Sequence, residues 1–366
     1  MNNGKILIAG GGTGGHLYPA LAIGEEIQRR EPLMKIHYVG SIFGLEAKVF
    51  PVKDVWHTLL PIRGMQRGIS FQSFSRNALL PSKIIKSYNK IRTLFKDFIP
   101  QIIVGTGGYA SALPLFMATQ KKYSYPIVLQ EQNSFPGMTT RWFANKSDAT
   151  CIAFEEANKY LKNETILTGN PVRKGIANGS KIEASKKFNL SLKNKTIFLF
   201  GGSQGSSYLN KMIFSIIKNL TNAGLQLIWQ TGDKDYLKYK HYSFKNIIIT
   251  PFINDMAGAY ALADLIICRS GALTISEITL SGKASILIPY PYAAGNHQTK
   301  NAQALVDVGA AKILSQKALK PKQLFHSIIS LIHNQNELSK MSSSSKLLGK
   351  PNATKEIVDQ IFEIVR

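Results

Sequence analysis

The residues best suited to chemistry stand near the amino terminus, in "KILIAGGGTGGHLYPALAIGEEI". Gly10, Gly12 and Gly15 have G-x-G-x-x-G spacing, and His16 follows where a helix should begin. Such a turn offers backbone N–H groups to a phosphate, and glycine lets the backbone come close. A histidine there has two uses. Neutral near pH 7, it accepts a proton; protonated, it caps a helix or binds phosphate as a cation. Glycine turns at residues 105–108 and 201–205 have the same potential. A nicotinamide site also needs an acid at the end of its second strand. Here that strand ends "HYVGS", and the next acid is Glu46. The dinucleotide reading loses its second leg. Three glycine turns in one chain point instead to a phosphate-bearing ligand of another kind.

These turns need elements to position them. Strand-length apolar runs ("KILIAG", "KIHYVG", "PQIIVGTGGYAS", "YPIVLQEQN", "DATCIAF") alternate with helical patterns, which predicts a mostly parallel sheet covered by helices. The rhythm pauses at "LTGNPVRKGI" and restarts at "KTIFLFGGSQGSSYLNKMIFSII", followed by "LQLIWQTG", "NIIITPFI", "ADLIICRSG" and "ASILIPYP". The expectation is an α/β protein of two Rossmann-like domains, residues 1–168 and 169–349. A last helix at about 350–366 could pack on either. Open sheets of this kind bind ligands at the carboxyl ends of their strands, so two that face each other make a cleft.

The chain has 366 residues, enough for two domains, and 44% hydrophobic content, which fits a folded protein. Lys and Arg number 45 against 22 Asp and Glu, a net charge of +23 that calls for an anionic partner: nucleic acid, phosphorylated substrate or anionic membrane. Cys151 and Cys268 are far apart in apolar contexts, so neither a disulfide framework nor a zinc site is expected, and a reducing cytoplasm is the simplest compartment. No signal-peptide core and no run of about 18 apolar residues is present, so no bilayer span is expected.

The strings "GGTGGHLYPALAI", "VGTGGYAS", "QEQNSFPG", "GNPVR", "GGSQGS", "TPFINDMA", "CRSGALTISEI" and "GNHQTKNA" resemble, in order, the motifs of the MurG family. These bacterial enzymes move N-acetylglucosamine from UDP-N-acetylglucosamine to the undecaprenyl-linked muramyl-pentapeptide. The resemblance implies the glycosyltransferase-B fold, two Rossmann-like domains facing a deep cleft. It assigns acceptor and membrane binding to the first domain, UDP-GlcNAc to the second, and the terminal helix to the first. It places Ser203 and neighbouring amides on the diphosphate and the Ile253 backbone on uracil. Ala272, Leu273 and Thr274 surround the phosphates and nucleoside, Glu277 accepts the ribose hydroxyls, and Gln298 meets the sugar. Thr13, Gly14, Gly15, Asn133 and Arg173 complete the donor pocket. One departure is Thr299, where the family carries a second glutamine; its hydroxyl cannot repeat an amide's paired donor and acceptor.

Residue chemistry leaves other uses open. Glu277 could serve a helix dipole, Arg173 is a surface residue or a fork-shaped anion clamp, Asn133 shapes a turn, and Ser203 caps a helix or donates to phosphate. For transfer from an α-linked UDP-sugar with inversion, His16 is the candidate base. Helix N-termini and Arg173 suffice for the leaving diphosphate. The Asp-x-Asp metal signature is missing, "GDKDY" lying in a polar segment, so neither a metal nor another cofactor is expected.

The acceptor's lipid requires a visit to the bilayer. In "SRNALLPSKIIKSYNKIRTLFKDF" apolar residues recur at helical spacing among Lys83, Lys86, Lys90 and Arg92. Leu79, Leu80, Lys83, Ile84 and Tyr88 are the candidates for contact with an anionic surface, peripherally, on the cytoplasmic face of the membrane. An ordinary core face is the alternative for this stripe. Another UDP-sugar-dependent lipid glycosyltransferase of the superfamily is the nearest rival reading. A UDP-sugar epimerase would need a set of cleft carboxylates that does not stand out. A basic RNA-binding protein would need an aromatic and basic module that is not visible, and no nucleic-acid partner is expected.

Overall fold

A computed structural model describes residues 4–63 and 80–365. The chain forms two compact units, one of Met1–Pro171 with Asn352–Arg366 and one of Val172–Pro351.

The first unit is built on β1 (Lys5–Gly10), β2 (Lys35–Ser41), β3 (His57–Leu60), β4 (Ile102–Gly107), β5 (Ile127–Glu131), β6 (Ala149–Ile152) and β7 (Ile166–Leu167). They pair in parallel in the order β3-β2-β1-β4-β5-β6-β7. Successive residues of a strand point to opposite faces, and both faces here are covered. Ile6 and Ile8 join one core with Leu17, Ile23 and Ile27 of the helix Gly14–Arg30. Leu7 and Ala9 join the other with Ile91, Leu94 and Phe95 of the helix Leu80–Phe98. That is why β1 reads as one unbroken apolar run. The terminal helix Ala353–Val365 adds Ile357, Val358, Ile361 and Phe362 to the first of these cores. Arg30 holds it by an ion pair to Asp359 at 2.7 Å and lies over the Phe362 ring.

The second unit repeats the plan with β8 (Thr196–Phe200), β9 (Gln226–Gln230), β10 (Ile247–Thr250), β11 (Leu265–Cys268), β12 (Ser285–Leu287) and β13 (Lys312–Ile313), in the parallel order β10-β9-β8-β11-β12-β13. Ile197 and Leu199 face a core with Trp229, Leu324 and Ile328. Phe198 and Phe200 turn the other way, against Tyr260.

In each unit the strand order reverses beside the first strand, between β1 and β4 and between β8 and β11. The carboxyl ends at such a reversal are where open α/β sheets bind ligands. The glycine turns after β1, β4 and β8 all fall at these points.

Candidate active site

His16 lies in the first turn of the helix that follows β1. Its Nδ1 is 3.0 Å from the Thr106 carbonyl oxygen and 2.8 Å from Gln132 Oε1. The Gln132 amide cannot be turned round. Its Nε2 donates to the Thr106 and Gln130 carbonyls at 2.8 and 2.9 Å, and a carbonyl only accepts. Oε1 therefore faces His16, and both neighbours of Nδ1 are acceptors. The ring carries its hydrogen on Nδ1, and in the neutral form Nε2 keeps its lone pair. The support goes one layer deeper: Gln130 donates to Asn170 Oδ1, and Asn170 donates to the Gln132 carbonyl, both at 3.0 Å and buried. This is the tautomer a general base requires.

The glycine turns have separate tasks. After β1, the Gly12 N–H donates to the carboxylate of Glu46 at 2.9 Å, and Ser41 N donates to the same group at 2.8 Å. Glu46 is fully buried and already supplies an anion to this turn. The N–H groups of Thr13, Gly14 and Gly15 find no acceptor among the described residues and remain available. After β4, the turn is shaped for close approach. A Cβ on Gly108 would lie 2.1 Å from the Gly11 carbonyl oxygen, and one on Gly107 would lie 2.9 Å from His16 Nδ1; both glycines have positive φ. Asn133 sits in a turn organised by buried Glu131, which accepts from the Asn133 and Gly137 backbone N–H groups and from Thr140.

In the second unit, the N–H groups of Gly202, Ser203 and Gln204 find no acceptor among the described residues, and Ser203 is exposed. Ser203 does not cap the next helix. Ser206 does, accepting from Leu209 N. Gly271 caps the helix Ala272–Leu280, whose first three N–H groups, at Ala272, Leu273 and Thr274, are likewise open. Glu277 lies in the second turn, so a dipole role is excluded. Its buried carboxylate accepts from Tyr260 OH at 3.0 Å and faces Arg173 Nε at 3.4 Å. Burial raises its pKa, against the pull of the Arg173 charge and the Tyr260 hydrogen bond. Arg173 remains half exposed while pairing with it. Ile253 gives its N–H to Gln230 Oε1 at 2.9 Å, and its carbonyl accepts from no described residue. Gln230 Nε2 donates to the Gly202 carbonyl, so one side chain ties two loops together. The Tyr290 N–H donates to Gln298 Oε1, leaving the amide nitrogen to act as donor. Thr299 donates to Asn296, the residue before its helix.

The helix Leu80–Phe98 splits the apolar stripe. Ile91, Leu94, Phe95 and Phe98 are core. Tyr88 is partly buried, packed against that core. Ile84 and Ile85 are 41% and 61% exposed. Leu80 and Lys83 are partly buried, Lys83 over the Phe43 ring, and Leu79 lies outside the described residues. No described helix is long and apolar enough to cross a membrane. Among the described residues, no group of three or more His, Cys, Asp or Glu side chains is placed to hold a metal. Sequence reasoning missed Gln132, Gln230, Tyr260 and the anchoring role of Glu46. For the two glutamines the available signal was a polar residue at the end of a buried strand; Tyr260 and Glu46 lie on helices and gave none.

Two switch points, a histidine with Nε2 open and open helix N-termini fit the class of two-domain glycosyltransferases, and the family models place the chain in it. Residues 6–152 match the glycosyltransferase family 28 N-terminal domain, and residues 196–359 match its C-terminal domain. A UDP-N-acetylglucosamine--N-acetylmuramyl-(pentapeptide) pyrophosphoryl-undecaprenol N-acetylglucosamine transferase from Acetivibrio thermocellus is 37% identical, over 99% of this chain and 98% of its own. The enzyme of the same name from Flavobacterium psychrophilum is 40% identical, over 100% and 99%. The crystal structure of Acinetobacter baumannii MurG superposes with a TM-score of 0.78 at 27% identity, over 98% of this chain and 99% of that one. The chain belongs to this MurG family of N-acetylglucosamine transferases.

Proposed function

We propose that the protein transfers N-acetylglucosamine, with inversion, from UDP-N-acetylglucosamine to the 4-hydroxyl of the muramyl sugar of undecaprenyl-pyrophosphoryl-MurNAc-pentapeptide. This converts lipid I to lipid II in peptidoglycan synthesis. The substrates follow from the relatives' names, and the chemistry rests on one observation: His16 is held with Nδ1 donating and Nε2 open. Nε2 takes the proton of the acceptor hydroxyl. The hydroxyl oxygen attacks the anomeric carbon opposite UDP, and the bond to the β-phosphate breaks with its electron pair leaving on UDP. The α-linked donor becomes a β-linked product without a covalent enzyme intermediate. The open amides of 202–204 and 272–274, with Arg173, stabilise the diphosphate as its charge grows. Ile253 meets uracil, Glu277 the ribose and Gln298 the sugar, while Thr13, Gly14, Gly15 and Asn133 contribute from the first unit.

The acceptor's lipid stays in the bilayer, so the enzyme works peripherally on the cytoplasmic face, guided by Ile84, Leu80, Leu79 and Lys83 and by the net charge of +23. That charge serves phosphates and anionic lipid, not nucleic acid. Replacing His16 tests the mechanism. His16→Ala lowers turnover by about 10²-fold or more, with UDP affinity unchanged by calorimetry. Near-normal turnover would move the base elsewhere.

A further inference from the structure

Arg269 stands at the carboxyl end of β11 and is only 8% exposed. Its guanidinium donates through Nη1 to the Ile288 and Pro289 carbonyl oxygens at 2.9 and 3.1 Å, and through Nη2 to Ser206 Oγ at 3.0 Å. The rings of Tyr208 and Tyr290 flank it, with centroids 5.8 and 5.6 Å away. No carboxylate among the described residues pairs with it. A buried cation that meets only neutral groups is costly unless an anion completes its surroundings. An arginine cannot escape the cost by losing its proton.

Ser206 shows where that anion belongs. A hydroxyl has two lone pairs and one hydrogen. Its lone pairs are taken by Arg269 Nη2 at 3.0 Å and by the Leu209 N–H at 3.5 Å, and both of these partners can only donate. The hydroxyl hydrogen is thus left to donate, and no described residue accepts it. Gly201 keeps this arrangement tight, since a Cβ there would lie 2.4 Å from the Ser206 backbone nitrogen and Cβ. The open amides of Gly202, Ser203 and Gln204 belong to the same turn.

We propose that Ser206 donates its hydroxyl hydrogen to the diphosphate of the nucleotide sugar, with Arg269 as the buried charge that polarises it. This rests on the nucleotide-sugar reading above and adds a phosphate-binding residue and a positioning residue to it. As the sugar leaves, negative charge collects on the diphosphate, and a donor backed by a cation strengthens as it does so. Ser206 acts by contact, and Arg269 acts through Ser206.

The test compares UDP with uridine by calorimetry on the full-length protein. Ser206→Ala weakens UDP by about 10-fold, the value of one hydrogen bond to a charged group, and leaves uridine affinity as it was. Ser206→Thr keeps the hydroxyl and restores UDP binding. Arg269→Lys lowers UDP affinity as Ser206→Ala does, again without change for uridine. Equal UDP affinity in Ser206→Ala and wild type would overturn the pair alone. An equal loss for UDP and uridine would do the same, because it would mark a helix cap and nothing more. A wild-type protein that binds no UDP would overturn the pair together with the function on which it rests.

Discussion

The tautomer of His16 is set by the groups around its ring. The Thr106 carbonyl and Gln132 fix the proton on Nδ1, and Gln130 with Asn170 fixes Gln132. Removing the acceptor on Gln132 loosens the ring but leaves Thr106 in place. Gln132→Leu therefore lowers kcat by about 10-fold, a fraction of the base's own contribution, with UDP affinity unchanged. Steady-state kinetics beside calorimetry reads both, and an unaltered kcat would make Gln132 a purely structural residue. The sequence marked His16 by its place after the glycine turn. It could not mark Gln132, because "IVLQEQN" does not reveal which polar side chain at the end of a strand turns toward the turn after a neighbouring strand. Glu46 was visible only as an acid too far along for a ribose. Its task, holding the Gly12 amide, depends on where the helix Glu46–Val52 lays it beneath the turn.

At the scale of elements, three similar glycine turns differ: the first is tied to a carboxylate at Gly12 and leaves its next three amides open, the second packs against the first, and the third is open. Glycine spacing reports that a backbone must come close, and does not report to what. The long buried strands were plain in the sequence because burial on both faces leaves continuous apolar runs. The edge strands β3, β7 and β13 were not, since they are only partly buried and leave no continuous apolar run; the fourth edge, β10, has one in "NIIITPFI". The helix Leu80–Phe98 mixes both outcomes. Its second half is core, while Ile84 and Ile85 at its start stay exposed beside basic residues. Ile85 was left out of the expected contact set, although it is the more exposed of the two. Vesicle cosedimentation tests this element. Wild type binds vesicles in proportion to their anionic lipid and releases them in salt, each basic residue contributing ~1 kcal/mol. Ile84→Glu with Lys83→Glu binds several-fold less while its melting temperature holds. Binding that ignores lipid charge, or a folded double variant that binds as wild type does, would remove this helix as the anchor.

The whole molecule divides its labour between two units of the same plan. The first holds His16 and the exposed apolar start of the helix Leu80–Phe98; the second holds open helix N-termini, the Arg173–Glu277 pair and the buried Arg269. The terminal helix, though last in sequence, is part of the first unit's core. Its own pattern is amphipathic and so could not choose between the units. A net charge of +23 suits the proposed donor, acceptor and membrane, each of which would carry phosphate. The most direct measurement is product analysis with purified protein, labelled UDP-N-acetylglucosamine and a lipid-linked muramyl-pentapeptide in mixed micelles. The account predicts label in a β-1,4-linked disaccharide on the lipid, one UDP released per sugar transferred. Label retained in UDP-N-acetylglucosamine, an α linkage, or UDP released without an acceptor would contradict it.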